Sequence, residues 1–398
     1  MQSGKIVVEN LYKVFGAQPQ EAIDLLKQGW SKDKILAEKG AVIGVSDVSF
    51  SVEEGEIFVL MGLSGSGKST LIRLINRLIE PSAGDVFIDG QNVAKLPKAQ
   101  LIDLRRRDMS MVFQSFALMP SRSVLDNAAF GLEVAGTGRK EREKRAMEVL
   151  TQVGLDTFAH KFPHELSGGM QQRVGLARAL AVDPSIMIMD EAFSALDPLK
   201  RREMQDLLLE LQKTHRRTII FVSHDIEEAM RIGNRIAIME GGKLVQLGTP
   251  QELVDNPVND YVRNFFDTVD TNRYLTAGQL KADSVPLFVH NGKAPDAHTV
   301  SLALQALDKH YAFIVDENHR FYGSISLEKI ALLVEGGQTR GLDHGVLKQI
   351  NPVPEDMPLD QVIGRLVDNE GPIPVVDGKG IYCGAISKGR LLTRMQGE

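Results

Sequence analysis

Short apolar runs, with Ser110 the one polar residue among them, recur through the first two thirds of the chain: Ile57–Met61, Met109–Phe113, Ile186–Met189, Ile219–Val222 and Ile236–Met239. Each has strand length and none alternates with polar residues, the pattern of strands buried on both faces of a parallel sheet. Between most of them lie longer charged stretches of helical periodicity, such as Lys140–Gln152 and Arg201–Thr214. Strand alternating with helix predicts an α/β sheet domain. Leu244–Leu247, joined to Ile236–Met239 through Gly241-Gly242, reads as the second strand of a hairpin.

Two segments break this alternation. Residues 17–43 hold two short amphipathic helices, Glu21–Gln28 and Lys32–Lys39, separated by Gly29-Trp30-Ser31, and Trp30 is expected to anchor them. Near residues 255–270 the alternation ends and a repeat begins. Phe313-Ile-Val-Asp316 followed by Tyr322-Gly-Ser-Ile-Ser326 matches Pro374-Val-Val-Asp377 followed by Cys383-Gly-Ala-Ile-Ser387, at a constant offset of 61 positions. A repeated strand–turn–strand predicts two similar units packed as a pair.

Composition narrows the class. With 398 residues, 43% hydrophobic and 25% charged, the chain has material for two or three packed domains and is not disordered. Its net charge of −6 argues against a dedicated nucleic-acid binder. The single cysteine, Cys383, excludes a disulfide within the chain, fits a reducing compartment and reads as a small buried apolar residue. No run approaches the roughly 18 apolar residues of a membrane span. Residues 1–16, carrying Lys5, Glu9 and Lys13, lack the apolar core of a signal peptide. The expectation is a cytosolic chain that meets a membrane only through a partner.

Candidate chemistry begins at Gly62-Leu-Ser64-Gly65-Ser66-Gly67-Lys68-Ser69-Thr70, which fits G-x-x-x-x-G-K-[ST] and follows an apolar strand. Glycines let backbone N–H groups wrap phosphates, a following helix adds partial positive charge, and Lys68 reaches the β/γ oxygens. Ser69 then offers a hydroxyl to Mg²⁺. Ile186–Met189 runs into Asp190-Glu191. A carboxylate at a strand end beside a phosphate loop holds Mg²⁺, the role expected of Asp190, and Glu191 is placed to polarise a water as general base. Gln114 and His224 each follow a predicted strand, at the edge where open α/β sheets bind ligands. Gln114 is expected at Mg²⁺ or the attacking water, His224 at the γ-phosphate. Ser167-Gly168-Gly169 precedes an Ala/Leu-rich helical run and forms a second anion cradle. Two cradles with one metal site make sense if two copies pair head to tail and each lends its Ser-Gly-Gly to the other's ATP.

In this order, the phosphate loop, Gln114, Leu166-Ser-Gly-Gly169, Asp190-Glu191, Ser194-Ala-Leu-Asp197 and His224 resemble the ATP-binding subunit of an ABC transporter over roughly residues 5–265. The resemblance implies a P-loop α/β ATPase domain with a helical subdomain, and a homodimer that sandwiches two ATP. It also implies a cross-dimer role for Asp197 and stacking of adenine on Phe15 or, because of the insertion that follows, on Tyr12.

The insertion, Leu74–Pro81, Phe113–Pro120 and Asp190–Pro198 are similar to one subgroup, the ATPases of glycine betaine/proline betaine importers. The repeat resembles a tandem pair of CBS domains. These likenesses imply an ABC ATPase domain over 1–268 with the insertion at 17–43, a linker at 269–275, and CBS copies at 276–335 and 336–398. They imply ATP and Mg²⁺ as cofactors, and a separate membrane permease with a substrate-binding protein as partners. They place the chain at the cytoplasmic face of the membrane, with choline, carnitine or proline as alternative solutes and a non-transport ABC ATPase as the alternative class. In such CBS pairs the expected inputs are ionic strength sensed through anionic lipid, or a cyclic dinucleotide. The adenosine-binding pattern Gly-x-x-Ser/Thr-x-x-Asp is altered here, because Lys329 and Arg390 stand where the acid is usual.

Overall fold

The computed structural model describes residues 4–266, 276–282, 287–288, 296–306, 309–335 and 350–395. The chain divides into two compact units, Met1–Val269 and Asp270–Glu398. The expected linker, 269–275, lies outside the described residues.

The first unit is built on a six-stranded sheet in the order Lys243–Gly248, Arg235–Glu240, Ile57–Met61, Thr218–Ser223, Ile186–Asp190, Met109–Phe113. All neighbours are parallel except the edge hairpin Arg235–Glu240/Lys243–Gly248. Every residue of Ile57–Met61 and of Thr218–Ser223 is buried. Unbroken apolar runs therefore report strands covered on both faces, as their pattern predicts. The hairpin turns on Gly241-Gly242, both at positive φ.

A second, antiparallel sheet of Val42–Val52, Ile6–Phe15, Ala83–Ile88 and Gln91–Asn92 lies outside the elements that the apolar runs mark. Register shifts along Ile6–Phe15 break the period-two alternation of a half-buried strand, so the signal is weaker. One core joins both sheets: Ile6, Val8, Leu11 and Val48 share it with Phe58, Leu60, Leu71 and Ile72. The Phe50 and Phe58 rings stack at 4.9 Å within it. Each such fully buried side chain contributes about 1.5–3 kcal/mol.

The insertion forms two helices, Pro19–Lys27 and Lys32–Lys39, between the first two strands of this sheet. Trp30 packs against a cluster containing Tyr12, Ala22, Ile23 and Ile35, and the Lys34 ammonium lies 3.8 Å above its ring. The anchoring expected of the lone tryptophan is what packing gives it.

Helices Val124–Val134, Arg139–Gln152 and Gly168–Ala181 form the helical part of the unit. Asn127, fully buried, fastens the segment before them: its amide donates to the carbonyls of Met119, Arg122 and Ser123 at 3.0–3.1 Å, and its Oδ1 accepts from Met119 N at 2.8 Å.

In the second unit each repeat is a three-stranded sheet: Leu287–Phe288, Tyr311–Val315 and Phe321–Ser326, then Val353–Pro354, Ile373–Val376 and Tyr382–Ile386. The repeated aspartate closes each hairpin in the same way. Asp316 Oδ1 accepts from the N–H groups of Asn318 and Arg320, and Asp377 Oδ1 from those of Lys379 and Ile381, all at 2.8–2.9 Å. Arg320 forms an antiparallel bridge with Ile381, its own equivalent in the repeat. The two copies therefore meet about a pseudo-twofold axis. Phe313, Val315, Tyr382 and Ala385 form the apolar cluster beside it. The short helix Ala277–Leu280 packs into the core of the second copy, with Val353, Leu359 and Ile373, although it precedes the first in sequence.

Candidate nucleotide site

The glycine-rich loop leaves the buried end of Ile57–Met61 and enters the helix Lys68–Ile75. The helix therefore begins within the motif itself, at Lys68, and ends at Ile75. Arg77 turns the chain out at φ +53°, and the Ile79 N–H returns to the Arg73 carbonyl at 3.0 Å.

The loop is tight at Gly62, where a Cβ would stand 2.3 Å from the Met239 carbonyl oxygen, and again at Gly67, at φ +102°. A Cβ on Gly67 would stand 2.5 Å from the Gly44 carbonyl oxygen and 3.2 Å from Gly242 Cα. Only glycine holds this backbone while two other segments of the chain press against it. The Gly242 N–H donates to Ser66 O at 2.8 Å, and Ser46 N–H donates to Gly242 O at 2.7 Å. The phosphate loop, the Gly241-Gly242 turn and the strand Val42–Val52 therefore lock together by backbone alone.

Lys68 is buried and folds back over the loop, donating to Gly62 O at 2.7 Å, Leu63 O at 3.0 Å and Ser66 Oγ at 3.4 Å. Burial lowers its pKa, opposed by the carboxylates of Glu191 and Asp190. Asp190 ends its strand beside Phe113, the residue before Gln114, and its Oδ1 lies 3.4 Å from Ser69 Oγ. Burial, and then repulsion from Glu191, hold the Asp190 carboxyl above the ordinary carboxylate range. Two carboxylates thus share a half-buried site with one buried ammonium. That donor set suits a divalent cation, which relieves both the desolvation and the repulsion.

Glu191 occupies the left-handed region at φ +47°. Such strain costs of order 1–3 kcal/mol and persists only where surroundings impose it. Here the Glu191 N–H donates to Val222 O at 3.1 Å, and its carbonyl accepts from Ser194 N at 3.1 Å and Ser194 Oγ at 2.9 Å. The side chain is thereby aimed at His224, with Oε2 3.5 Å from Nδ1.

Behind His224 lies a buried polar network that the motif reading misses. Ser223 Oγ donates to Glu228 Oε2 at 2.6 Å, and Gln205 Nε2 donates to Glu228 Oε1 at 3.1 Å. Arg201 donates to Asp225 Oδ2 at 2.6 Å and to Leu196 O at 3.3 Å, tying the Ser194–Asp197 loop to the His224 loop. The sequence signal was Asp225-Ile-Glu-Glu228, an N-cap followed by an N3 glutamate. Asp225 does cap its helix, through Glu228 N–H, but the Glu228 side chain turns to Ser223.

Other predicted residues sit as follows. Phe15 is exposed, and its ring is 2.9 Å from where a Cβ on Gly44 would stand, with Thr70 Cγ2 at 3.3 Å from the same point. Tyr12 is 7% exposed within the insertion's core, which leaves its ring no open face. Of the two aromatics only Phe15 is available for stacking. Ser64 and Gly65 lie exposed on the loop. Asp197 caps Pro198–Thr214 by accepting from Lys200 N at 3.1 Å. Ser167 caps Gly168–Ala181, and the near neighbours of Gly168 and Gly169 are the Phe116 ring and the Lys200 side chain. Among the described residues no hydrogen bond joins Ser167–Gly169 to the phosphate loop of the same chain.

Cys383 is half-buried with Sγ 3.4 Å from Val375 O. Ser326 and Ser387 accept the N–H groups of Lys329 and Arg390, and Arg390 Nε donates to Leu280 O at 3.0 Å.

An ABC transporter family model matches residues 45–194, and a CBS domain model matches residues 346–397. Over 394 residues the chain is 48% identical to the glycine betaine/proline betaine transport system ATP-binding protein of Escherichia coli, covering 99% of this chain and 98% of that protein. It is 46% identical over 396 residues to the glycine betaine/carnitine transport ATP-binding protein of Listeria monocytogenes, covering 99% and 98%. A dimeric structure of a bacterial ABC transporter cassette is similar with a TM-score of 0.52 at 32% identity, covering 62% of this chain and 98% of that one. A post-hydrolysis dimer bound to ADP and Pi matches equally. Among the described residues no helix is long and apolar enough to cross a membrane. With the phosphate loop, the Asp190-Glu191 strand end and near full-length identity in agreement, the chain belongs to the family of nucleotide-binding ABC transporter ATPase subunits that serve glycine betaine transport systems.

Proposed function

We propose that this subunit hydrolyses Mg·ATP to drive import of glycine betaine or proline betaine through a separate membrane permease. The observation that carries the reading is the gathering of Lys68, Ser69, Asp190, Glu191 and His224 at one sheet edge. It occurs in a chain sharing 48% identity over 99% of its length with a glycine betaine/proline betaine transport ATPase.

In this reading Gly62–Thr70 cradle the phosphates, and Lys68 leaves its loop carbonyls to take β/γ oxygens. Ser69, Gln114 and Asp190 hold magnesium, which when bound neutralises charge developing on the phosphoryl oxygens. Glu191 orients and deprotonates the attacking water, and His224 donates a hydrogen bond on the γ side. Phe15 stacks on adenine. Ser167–Gly169, which make no hydrogen bond to their own phosphate loop among the described residues, are assigned to the ATP of a partner copy, with Asp197 communicating across the pair. The dimeric cassette of similar fold supports that pairing.

The second unit is assigned osmotic control. Lys329 and Arg390 put cations where an adenosine-binding copy carries an acid, and Arg390 holds the segment that enters the pair through Leu280. A partly exposed ion pair on the same segment, Lys281 with Glu355 at 3.8 Å, weakens as the Debye length shrinks from about 10 Å at 0.1 M to about 3 Å at 1 M salt.

The test is uptake of labelled glycine betaine by cells lacking this chain, complemented with wild type or Glu191→Gln at low and high osmolarity. Uptake restored by wild type alone and rising with osmolarity is expected. No restoration by wild type overturns the betaine assignment, and equal uptake at both osmolarities overturns the control.

A further inference from the structure

Lys32 opens the second helix of the insertion, Lys32–Lys39, which Ser31 caps by accepting the Lys34 N–H at 3.2 Å. Its side chain runs away from that helix to the Gly241-Gly242 turn, where Nζ is 2.7 Å from the position a Cβ on Gly242 would take. The ammonium is half-buried, yet among the described residues it makes no hydrogen bond and no ion pair. Burial lowers its pKa and Lys243 pushes the same way, with no carboxylate opposing. A partly desolvated cation without an acceptor is unfavourable unless a ligand supplies one.

Its location says which ligand. Gly242 donates to Ser66 of the phosphate loop and packs on Gly67. The strands carrying Asp190, Gln114 and His224 all lie on one side of Ile57–Met61 in the sheet, and the strand Arg235–Glu240 with its turn lies on the other. The β/γ end of a nucleotide belongs with the carboxylates. Its nucleoside end must then extend toward the opposite side, where Phe15, Gly44, Thr70 and Lys32 gather.

Resting on the ATP reading of the loop, we propose that Lys32 is a further nucleotide-binding residue, its ammonium donating to the α-phosphate. The insertion thereby contributes directly to the site.

The experiment measures binding of ATP and of ADP to the full chain by calorimetry, for wild type, Lys32→Met, Lys32→Arg and the loop control Lys68→Ala. Lys32→Met is expected to weaken ATP and ADP alike, by about tenfold for one lost charge-assisted hydrogen bond. Lys32→Arg should recover most of that loss. Thermal unfolding of nucleotide-free Lys32→Met should match or exceed wild type, because an unpaired cation has been removed. Unchanged affinities overturn the proposal. So does a loss confined to ATP, which would point to the γ-phosphate, or a lowered melting temperature with affinities intact, which would mean a structural lysine. Wild-type protein that binds no ATP, like Lys68→Ala, would overturn the loop reading itself.

Discussion

Gly67→Ala perturbs the phosphate loop at a cost that can be worked from two separate terms. The backbone there is at φ +102°, beyond the usual left-handed well, and forcing alanine into such a region costs about 1–3 kcal/mol. The added methyl also lands 2.5 Å from Gly44 O and 3.2 Å from Gly242 Cα, so packed backbone rather than a flexible side chain must yield. Overpacking of this kind costs about 1–3 kcal/mol more. Gly65→Ala is the control: φ is +78° but no atom lies within 4 Å, leaving only the conformational cost of about 1–2 kcal/mol. At about 2–4 °C per kcal/mol for a unit of this size, Gly67→Ala should melt roughly 4–24 °C below wild type, and Gly65→Ala about 2–8 °C below. The assay is thermal unfolding of the first unit's transition without nucleotide, followed by ATP titration. Since displacing Gly44 also displaces the Phe15 ring, Gly67→Ala should lose the stabilisation by ATP as well. Equal melting temperatures for the two variants would refute the reasoning, since the backbone junction would then not be rigid.

Glu191→Gln should slow ATP hydrolysis by about 10²–10⁴-fold while retaining ATP binding, as removal of a general base does; single-turnover hydrolysis at wild-type rate would remove Glu191 from that role. Because Asp190 is held above the ordinary carboxylate range and protonation abolishes its hold on a cation, magnesium affinity should fall on acidification while ordinary carboxylates are still ionised. A magnesium titration of nucleotide binding at decreasing pH checks this. Glu228 is also raised, chiefly by burial, so the folded state holds its proton more tightly than the unfolded chain. Its contribution to stability is therefore present at low pH and lost as pH rises through the folded value; Glu228→Gln should flatten that part of the urea-midpoint profile. Glu228→Ala should lose about 1–3 kcal/mol, because the buried Gln205 amide loses its acceptor and Ser223 keeps only its Asp225 contacts. Lys329→Glu with Arg390→Glu should change the salt dependence of uptake without changing basal ATP hydrolysis; an inactive ATPase would contradict the division of labour between the units.

The central sheet was legible because its inner strands are buried on both faces and so read as uninterrupted apolar runs; at the edge, Met109–Phe113 is only partly covered and Phe113 is exposed. The antiparallel sheet was not. Its strands carry Glu9, Asn10 and Asp47 among apolar residues, and Asn10 and Asp47 take positive φ at irregular register, which blurs a period of two. Phosphate-loop chemistry was readable from spacing, since backbone geometry there requires glycine at fixed intervals. The choice between Phe15 and Tyr12 was not, because it depends on which ring the insertion covers. Nor were Gln205, Arg201 and Glu228 evident: three ordinary helix residues converge on the His224 loop only once the sheet brings their helices together.

The bridge between Arg320 and Ile381 makes the C-terminal unit a dimer carried on one chain, whose halves are held at a high effective concentration by covalent continuity. Cutting it after residue 335 would not yield half a unit in isolation. It would leave the Phe313 and Phe321 face and the Arg320 edge exposed, and two truncated molecules would replace the lost copy with each other. A lesion in one repeat is then also a lesion in the surface that the other packs against.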